Sequence, residues 1–133
     1  MLDKVFFPEL SYKVTGLCFQ IHNELGRFVK ERQYADRFEQ LLRDNKVCYQ
    51  REKRVPYKLG NLQVSGNITD FIIESKIVVE LKAKLILGKN EYFQTQRYLM
   101  AGNFKLGLLV NFRDRFLKPK RILNYSNFNT KHS

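Results

Sequence analysis

The run from Leu106 to Val110, with Phe112 just beyond it, is the longest nearly unbroken apolar stretch in the chain. It is too apolar for a strand with one wet face, so Leu106 to Phe112 is expected as a central strand covered on both faces. It also falls far short of the ~20 residues that span a bilayer. No apolar core of a signal peptide opens the sequence, and a cytoplasmic protein is expected. With 133 residues there is room for one hydrophobic core, and a single domain over residues 1–123 is expected. Residues 124–133 are polar and without periodicity, which predicts a loose tail.

Other elements follow from spacing. Val14, Cys18, Ile21 and Leu25 mark one stripe of a helix from Ser11 to Leu25, with Gly26 as its stop. Tyr34, Phe38, Leu41 and Leu42 mark a second helix from Val29 to Arg43 that ends at Asn45. Val47 to Arg51 reads as a short strand, and Tyr57 to Asn61 as a turn centred on Gly60. A strand from Leu62 to Ile73 and another from Ile77 to Leu85 flank Glu74, Ser75 and Lys76, a length that suits a tight hairpin. A third helix is expected from Lys89 to Ala101, stopped by Gly102, and a last edge strand at Arg121 to Leu123 beyond Pro119. The two cysteines, Cys18 and Cys48, match neither a disulfide framework nor a zinc site, and both read as packing residues.

The formal charge is +11, from 24 Lys and Arg against 13 Asp and Glu, while 44% of residues are hydrophobic and 14% aromatic. That composition excludes intrinsic disorder as the reason for the charge. Lys46, Arg51, Lys53, Arg54 and Lys58 form one basic run, and Arg113, Arg115, Lys118, Lys120 and Arg121 another. No amphipathic basic helix carries them, which places nucleic acid ahead of a membrane surface. Ordinary solvated surface is the competing explanation.

Some residues break the pattern. Glu31 lies within about 20° of Phe38 and Leu42 on the second helix, so its carboxylate points where the core should be. In the second hairpin strand, alternation separates Ile77, Val79, Leu81, Ala83 and Leu85 from Val78, Glu80, Lys82 and Lys84. If the turn sets the register, Asp70 sits opposite Glu80 on the face that also carries Lys82, about 5 Å apart at Cβ. Like charges opposite one another destabilise a hairpin, so a cation is wanted, and hard oxygen donors suit magnesium. An exposed face with Glu80 paired to a lysine is the plainer alternative. Gln94 and Tyr98, four apart on the third helix, fall on one side of it.

Asp70, a hairpin turn, Glu80-Leu81-Lys82 and then Gln94 and Tyr98 together resemble the PD-(D/E)xK nuclease superfamily, in particular its branch with a RecB-like Gln-x-x-x-Tyr helix. Upstream, His22-Asn23-Glu24-Leu25-Gly26 and then Glu31 and Tyr34 are similar to a small bacterial group named for a GxxExxY signature, as is Val110-Asn111-Phe112. The resemblance spans Val14 to Leu123. It departs from the signature at one point, where Phe28 stands in place of the glycine three residues before Glu31. Each fragment is common by chance, and the order, hairpin spacing and expected elements together make the combination specific.

The resemblance implies an α/β fold with a mixed central sheet flanked by helices, a restriction-endonuclease-like core, and a metal-dependent phosphodiesterase acting on nucleic acid. Asp70, Glu80 and the carbonyl of Leu81 would hold Mg2+ or Mn2+, with Glu31 as a further ligand or acting through a water. Lys82 would orient or help deprotonate the attacking water. Gln94 would orient Lys82 or a phosphate, and Tyr98 would pack against that lysine or touch the substrate backbone, although a polar cap and a core aromatic are equally good readings of those two. His22 and Tyr34 read as packing residues, and core burial is the default for most phenylalanines. DNA ranks ahead of RNA as the substrate, no membrane is implied, and a homodimer stays open. The alternative is a catalytically silent, nuclease-like module that binds nucleic acid or a partner protein. Crowding Glu31, Asp70 and Glu80 should raise the pKa of at least one of them in the absence of metal.

Overall fold

The structure is a computed structural model that describes residues 6–51, 57–59, 62–64 and 70–124. Helices α1 (Pro8–Leu25) and α2 (Glu31–Asp44) come first. They are followed by strands β1 (Tyr49–Arg51), β2 (Tyr57–Leu59), β3 (Leu62–Val64), β4 (Asp70–Ile73) and β5 (Ile77–Lys82). Helix α3 (Lys89–Gly102), β6 (Leu106–Asn111) and β7 (Lys120–Leu123) complete the fold. Five strands form one mixed sheet in the order β1-β4-β5-β6-β7, and β2 pairs with β3 in a separate antiparallel hairpin. Only β5 and β6 run parallel, with α3 as the crossover between them. This is the expected α/β architecture, a mixed sheet flanked by helices in the restriction-endonuclease-like manner.

Strand alternation divides the core into two layers. Phe71, Ile73, Ile77, Val79, Leu81, Leu106, Leu108 and Val110 pack against α1 and α2, through Val14, Cys18, Ile21, Phe38 and Leu42. The opposite face presents Ile72, Val78, Leu109 and Ile122 to Tyr98 and Leu99 of α3. Every residue of β6 is buried, because helices cover both of its faces. On its α3 face β6 carries Gly107, where an added Cβ would lie 3.0 Å from Thr95 Cγ2 and 3.4 Å from Leu99 Cδ2. The missing side chain lets α3 approach the sheet closely enough to lay Thr95 against it.

The hairpin register follows the turn. Lys76 N donates to Ile73 O at 2.9 Å, and Glu74 and Ser75 both adopt left-handed backbone, with φ of 53° and 56°. Neither residue type favours that region. The turn is pinned from the residue that leads into β1: Glu74 N donates to Cys48 O, and Cys48 N to Glu74 Oε2, both at 2.9 Å.

Several boundaries and environments differ from the sequence expectation. Helix α1 begins at Pro8, three residues earlier than expected, since proline is suited to a first helical turn where no N–H partner is required. Gly26 does cap α1, at φ 73°. Helix α3 ends one residue later than expected, with Asn103 rather than Gly102 in the left-handed cap position. Strand β5 stops at Lys82, because Ala83 N and Lys84 N bond to side chains instead of a strand neighbour. Cys48 is exposed, and only Cys18 is a packing residue. Asn124, assigned to the loose tail, is buried: its Nδ2 donates to Leu99 O at 3.1 Å and Phe104 O at 2.8 Å, tying the end of β7 to α3. Tyr57–Leu59, expected within a turn, is strand β2, and the expected strand from Leu62 to Ile73 supplies β3 and β4 to two different sheets, because β3 pairs with β2 and β4 with β5. Residues 60–61, 65–69 and 125–133 lie outside the described residues.

Gly107→Ala should lower the unfolding free energy by about 1–2 kcal/mol, because the methyl would force α3 away from β6. Urea denaturation of the two proteins measures this, and unchanged stability would mean that α3 is free to retreat.

Candidate active site

Asp70 opens β4 and is the direct register partner of Glu80 in β5, the pairing read from the turn length. Two residues on, Lys82 ends β5 on the same face and pairs in register with Asn111. All three lie on the α3 side of the sheet, at the edge where β5 and β6 both terminate. Leu81, on the opposite face, is fully buried among the residues packed on α1 and α2.

Glu80 is only 3% exposed. Its carboxyl is pushed up to about 8, first by burial and then by the negative charge of Asp70, against the opposing pull of Lys82 and a hydrogen bond with Thr95. One of the crowded carboxylates therefore does have a raised pKa, and the dominant cause is desolvation. Thr95 is fully buried on α3, and its Oγ1 also lies 3.0 Å from Glu91 O. Its single proton serves one acceptor at a time, so an ionised Glu80 competes with the helix carbonyl for it.

Glu31 reaches the site from the other layer. It begins α2, on the opposite face of the sheet, and its Oε1 accepts a hydrogen bond from Ala83 N at 3.2 Å, one residue past Lys82. Its charge also helps raise the Lys84 ammonium, whose main partner is Glu91 at 2.7 Å. The expected inward direction of Glu31 thus places it at the end of β5. Among the described residues, no group of three His, Cys, Asp or Glu side chains gathers as a metal cage.

The two α3 residues singled out by spacing occupy different environments. Gln94 is exposed, and its Oε1 accepts from Arg97 Nη2 at 3.0 Å. Tyr98 is buried, and its ring stacks near Phe104 with centroids 6.3 Å apart. The line between solvent and core passes between them, and Thr95, one residue after Gln94, is the α3 side chain that meets Glu80. Its position is visible in retrospect: Thr95 lies three and four residues before Tyr98 and Leu99, on the stripe that faces the sheet.

Asn111 is a second residue that spacing alone did not single out. Its Oδ1 accepts from Lys84 N at 2.9 Å and its Nδ2 donates to Lys84 O at 2.8 Å and Asp114 Oδ1 at 3.2 Å. A buried amide thus clamps the exit of β5 to the exit of β6, and Phe112 N adds a bond to Lys82 O at 2.8 Å. Below this clamp Tyr34 stacks on Phe112 at 4.3 Å and donates its hydroxyl to Gly26 O at 2.6 Å. His22 Nε2 contacts Asp114 O at 2.9 Å. Both residues pack and hold loops, as expected for them.

A model of the PD-(D/E)XK nuclease superfamily matches residues 8–122. The chain belongs to that superfamily. The match in this PD-(D/E)XK protein includes Glu31, Asp70, Glu80, Lys82, Gln94, Thr95, Tyr98 and Asn111, and stops short of the buried Asn124. No curated protein and no solved structure matches it. No helix among its described residues is long and apolar enough to cross a membrane.

The donor set fits a divalent cation. Asp70 and Glu80 are hard oxygen donors facing each other across two paired strands, and Glu80 is held where only a nearby positive charge makes its ionisation easy. Magnesium commonly takes one or two protein carboxylates and fills its remaining positions with water and phosphate, so a pair suffices where a cage is absent.

Without metal, folded Glu80 keeps its proton up to about 8, whereas an ordinary glutamate releases it near 4.5. Between those values the folded state holds more protons than the unfolded chain, so this group's stabilisation is complete below about 4.5 and is lost as pH rises through about 8. The metal-free melting temperature should therefore carry a downward component across that window that Glu80→Gln removes. Melts at several pH values test it, and parallel curves for the two proteins would contradict the assignment.

Proposed function

We propose that this chain is a metal-dependent phosphodiesterase that hydrolyses nucleic acid, with DNA ahead of RNA as substrate, and that it acts in the cytoplasm as a member of the GxxExxY group. The observation that carries this reading is the buried Glu80 set directly opposite Asp70, with Lys82 on the same face two residues on. Folding pays for two adjacent acids, one of them desolvated, and a structural sheet gains nothing from them.

Asp70, Glu80 and the Leu81 carbonyl would hold Mg2+ or Mn2+, which when bound would polarise the scissile phosphate and offset charge on its oxygens. Lys82 would orient the attacking water and help take its proton. Glu31 would act as a further ligand or through a water, and its bond to Ala83 N supports a second duty, fixing the backbone next to Lys82. Thr95 would hold the Glu80 carboxylate in place from α3. Gln94, exposed at the rim, would contact a phosphate, and Tyr98 would support the sheet beneath the site. A binding module without turnover is the second reading, favoured by the bond that ties Glu31 to backbone instead of to the carboxylate pair.

A cleavage assay over single- and double-stranded DNA and RNA, with magnesium or manganese, separates the two. Lys82→Ala should reduce cleavage by roughly a hundredfold or more while nucleic-acid affinity stays nearly intact, since many other cations carry the phosphate attraction. Equal loss of both would make Lys82 a binding residue, and a wild type inert with every substrate and metal would leave the binding module. Asp70→Asn should also abolish turnover, yet leave the metal-free protein at least as stable as wild type, because it removes like-charge repulsion at nearly constant shape. Magnesium should raise the wild-type melting temperature and do much less for the mutant. A mutant that is less stable without metal, or that responds equally to magnesium, would make Asp70 a structural residue.

A further inference from the structure

Near the end of β5, two loops carry rings that the fold leaves in water. Phe28, in the connection between α1 and α2, is 72% exposed, and Phe116, between β6 and β7, is 70% exposed. Neither ring contributes to the core. Each is instead covered by cations: Arg27 Cζ lies 4.9 Å and Arg113 Cζ 5.1 Å from the Phe28 centroid, and Arg115 Cζ lies 5.4 Å from that of Phe116. These distances are within reach of cation–π attraction.

Some arginines elsewhere in the protein face acids, while Arg97 and Arg121 bond neutral side-chain oxygens. Arg51 pairs with Asp36 and Glu39, both at 2.9 Å, and Arg37 pairs with Glu24 at 2.8 Å. Among the described residues, Arg27, Arg113 and Arg115 make no such ion pair. Part of each basic run read from the sequence is therefore structural: Arg51 is spent on α2, and Arg121 donates to Ser11 Oγ at 2.7 Å. Lys53 and Arg54 lie outside the described residues. Three arginines without an ion pair thus lie against the two exposed rings.

Bonds place both loops at the site. Arg27 Nε donates to Arg113 O at 2.9 Å, joining one loop to the other. Arg113 follows Phe112, whose N–H bonds to Lys82 O, and Phe28 precedes Glu31, whose carboxylate holds Ala83 N.

We infer that Arg27, Phe28, Arg113, Arg115 and Phe116 form a platform for an unpaired nucleotide strand entering the site. Phe28 stacks a base in place of one of its two guanidiniums, Phe116 offers a second stacking surface, and the three guanidiniums take the neighbouring phosphates. A duplex keeps its bases stacked on one another, so the rings favour a single strand, whereas the arginines attract both forms. The inference deepens the nuclease reading and takes the chemical class of its ligand from it.

The chain has no tryptophan, so Phe28→Trp creates a sole fluorescent reporter at the platform. Without divalent metal, a short thymidylate or uridylate strand should quench that emission and bind with near wild-type affinity, while a blunt duplex should quench it far less. By fluorescence anisotropy, Phe28→Ala should weaken single-strand binding about tenfold and duplex binding less than about twofold. Arg113→Ala should weaken both and lower the salt slope by about one. Absent quenching, single-strand affinity unchanged in Phe28→Ala, or equal losses for both substrates would overturn the platform. Quenching in a protein that cleaves nothing would sustain the platform and sink the nuclease reading, and cleavage without quenching would do the reverse.

Discussion

The register of β4 against β5 governs the site. Asp70 faces Glu80 because the Glu74–Lys76 connection closes with two left-handed residues and a bond from Lys76 N to Ile73 O. A slip of one residue would turn Asp70 toward α1 and α2 and bury Ile72 on the wrong face. The turn residues are poorly suited to their backbone, and Cys48 offsets that by bonding Glu74 through both its N–H and its carbonyl. The residue that leads into the short edge strand β1 thus helps fix the geometry of a carboxylate pair several residues away.

Once that pairing is set, the two helical layers take different parts. Helix α3 lies on the carboxylate face and, through the gap at Gly107, brings Thr95 down to Glu80, which dries the carboxyl and raises its pKa. Helix α2 lies on the other face and contributes Glu31 only at the strand end, where Asn111 and Phe112 also hold the backbone leaving β5. Lys82 therefore projects from a segment fixed on both sides. Such pre-organisation costs stability at Glu80 and places Asp70, Glu80 and Lys82 before any ligand arrives.

The same edge carries three arginines that make no ion pair among the described residues. Arg27, Arg113 and Arg115 rest on exposed rings rather than on acids, and the hydrogen bond between Arg27 and the Arg113 carbonyl keeps their loops together.

Periodicity within one segment was enough to assign the faces of β5, the stripes of α1 and α2 and the buried nature of β6, because those properties depend on the geometry of a single helix or strand. Turn length was enough for the Asp70–Glu80 pairing, since a hairpin is local. The Glu31 carboxylate was also legible as pointing inward. What depended on contacts between distant segments was not. Gln94 and Tyr98 share a helical side, yet the packing angle of α3 leaves one in water and buries the other, with Thr95 closest to the acid. Arg51 belongs to a basic run in the chain but meets Asp36 and Glu39 once β1 lies along α2. Cys48 and Asn124 exchanged their expected environments for the same reason. Charge, stripe and register are written along the chain, whereas burial and partnership arise only when separate elements share a surface, and that sharing decided which arginines are neutralised and which remain open to a phosphate.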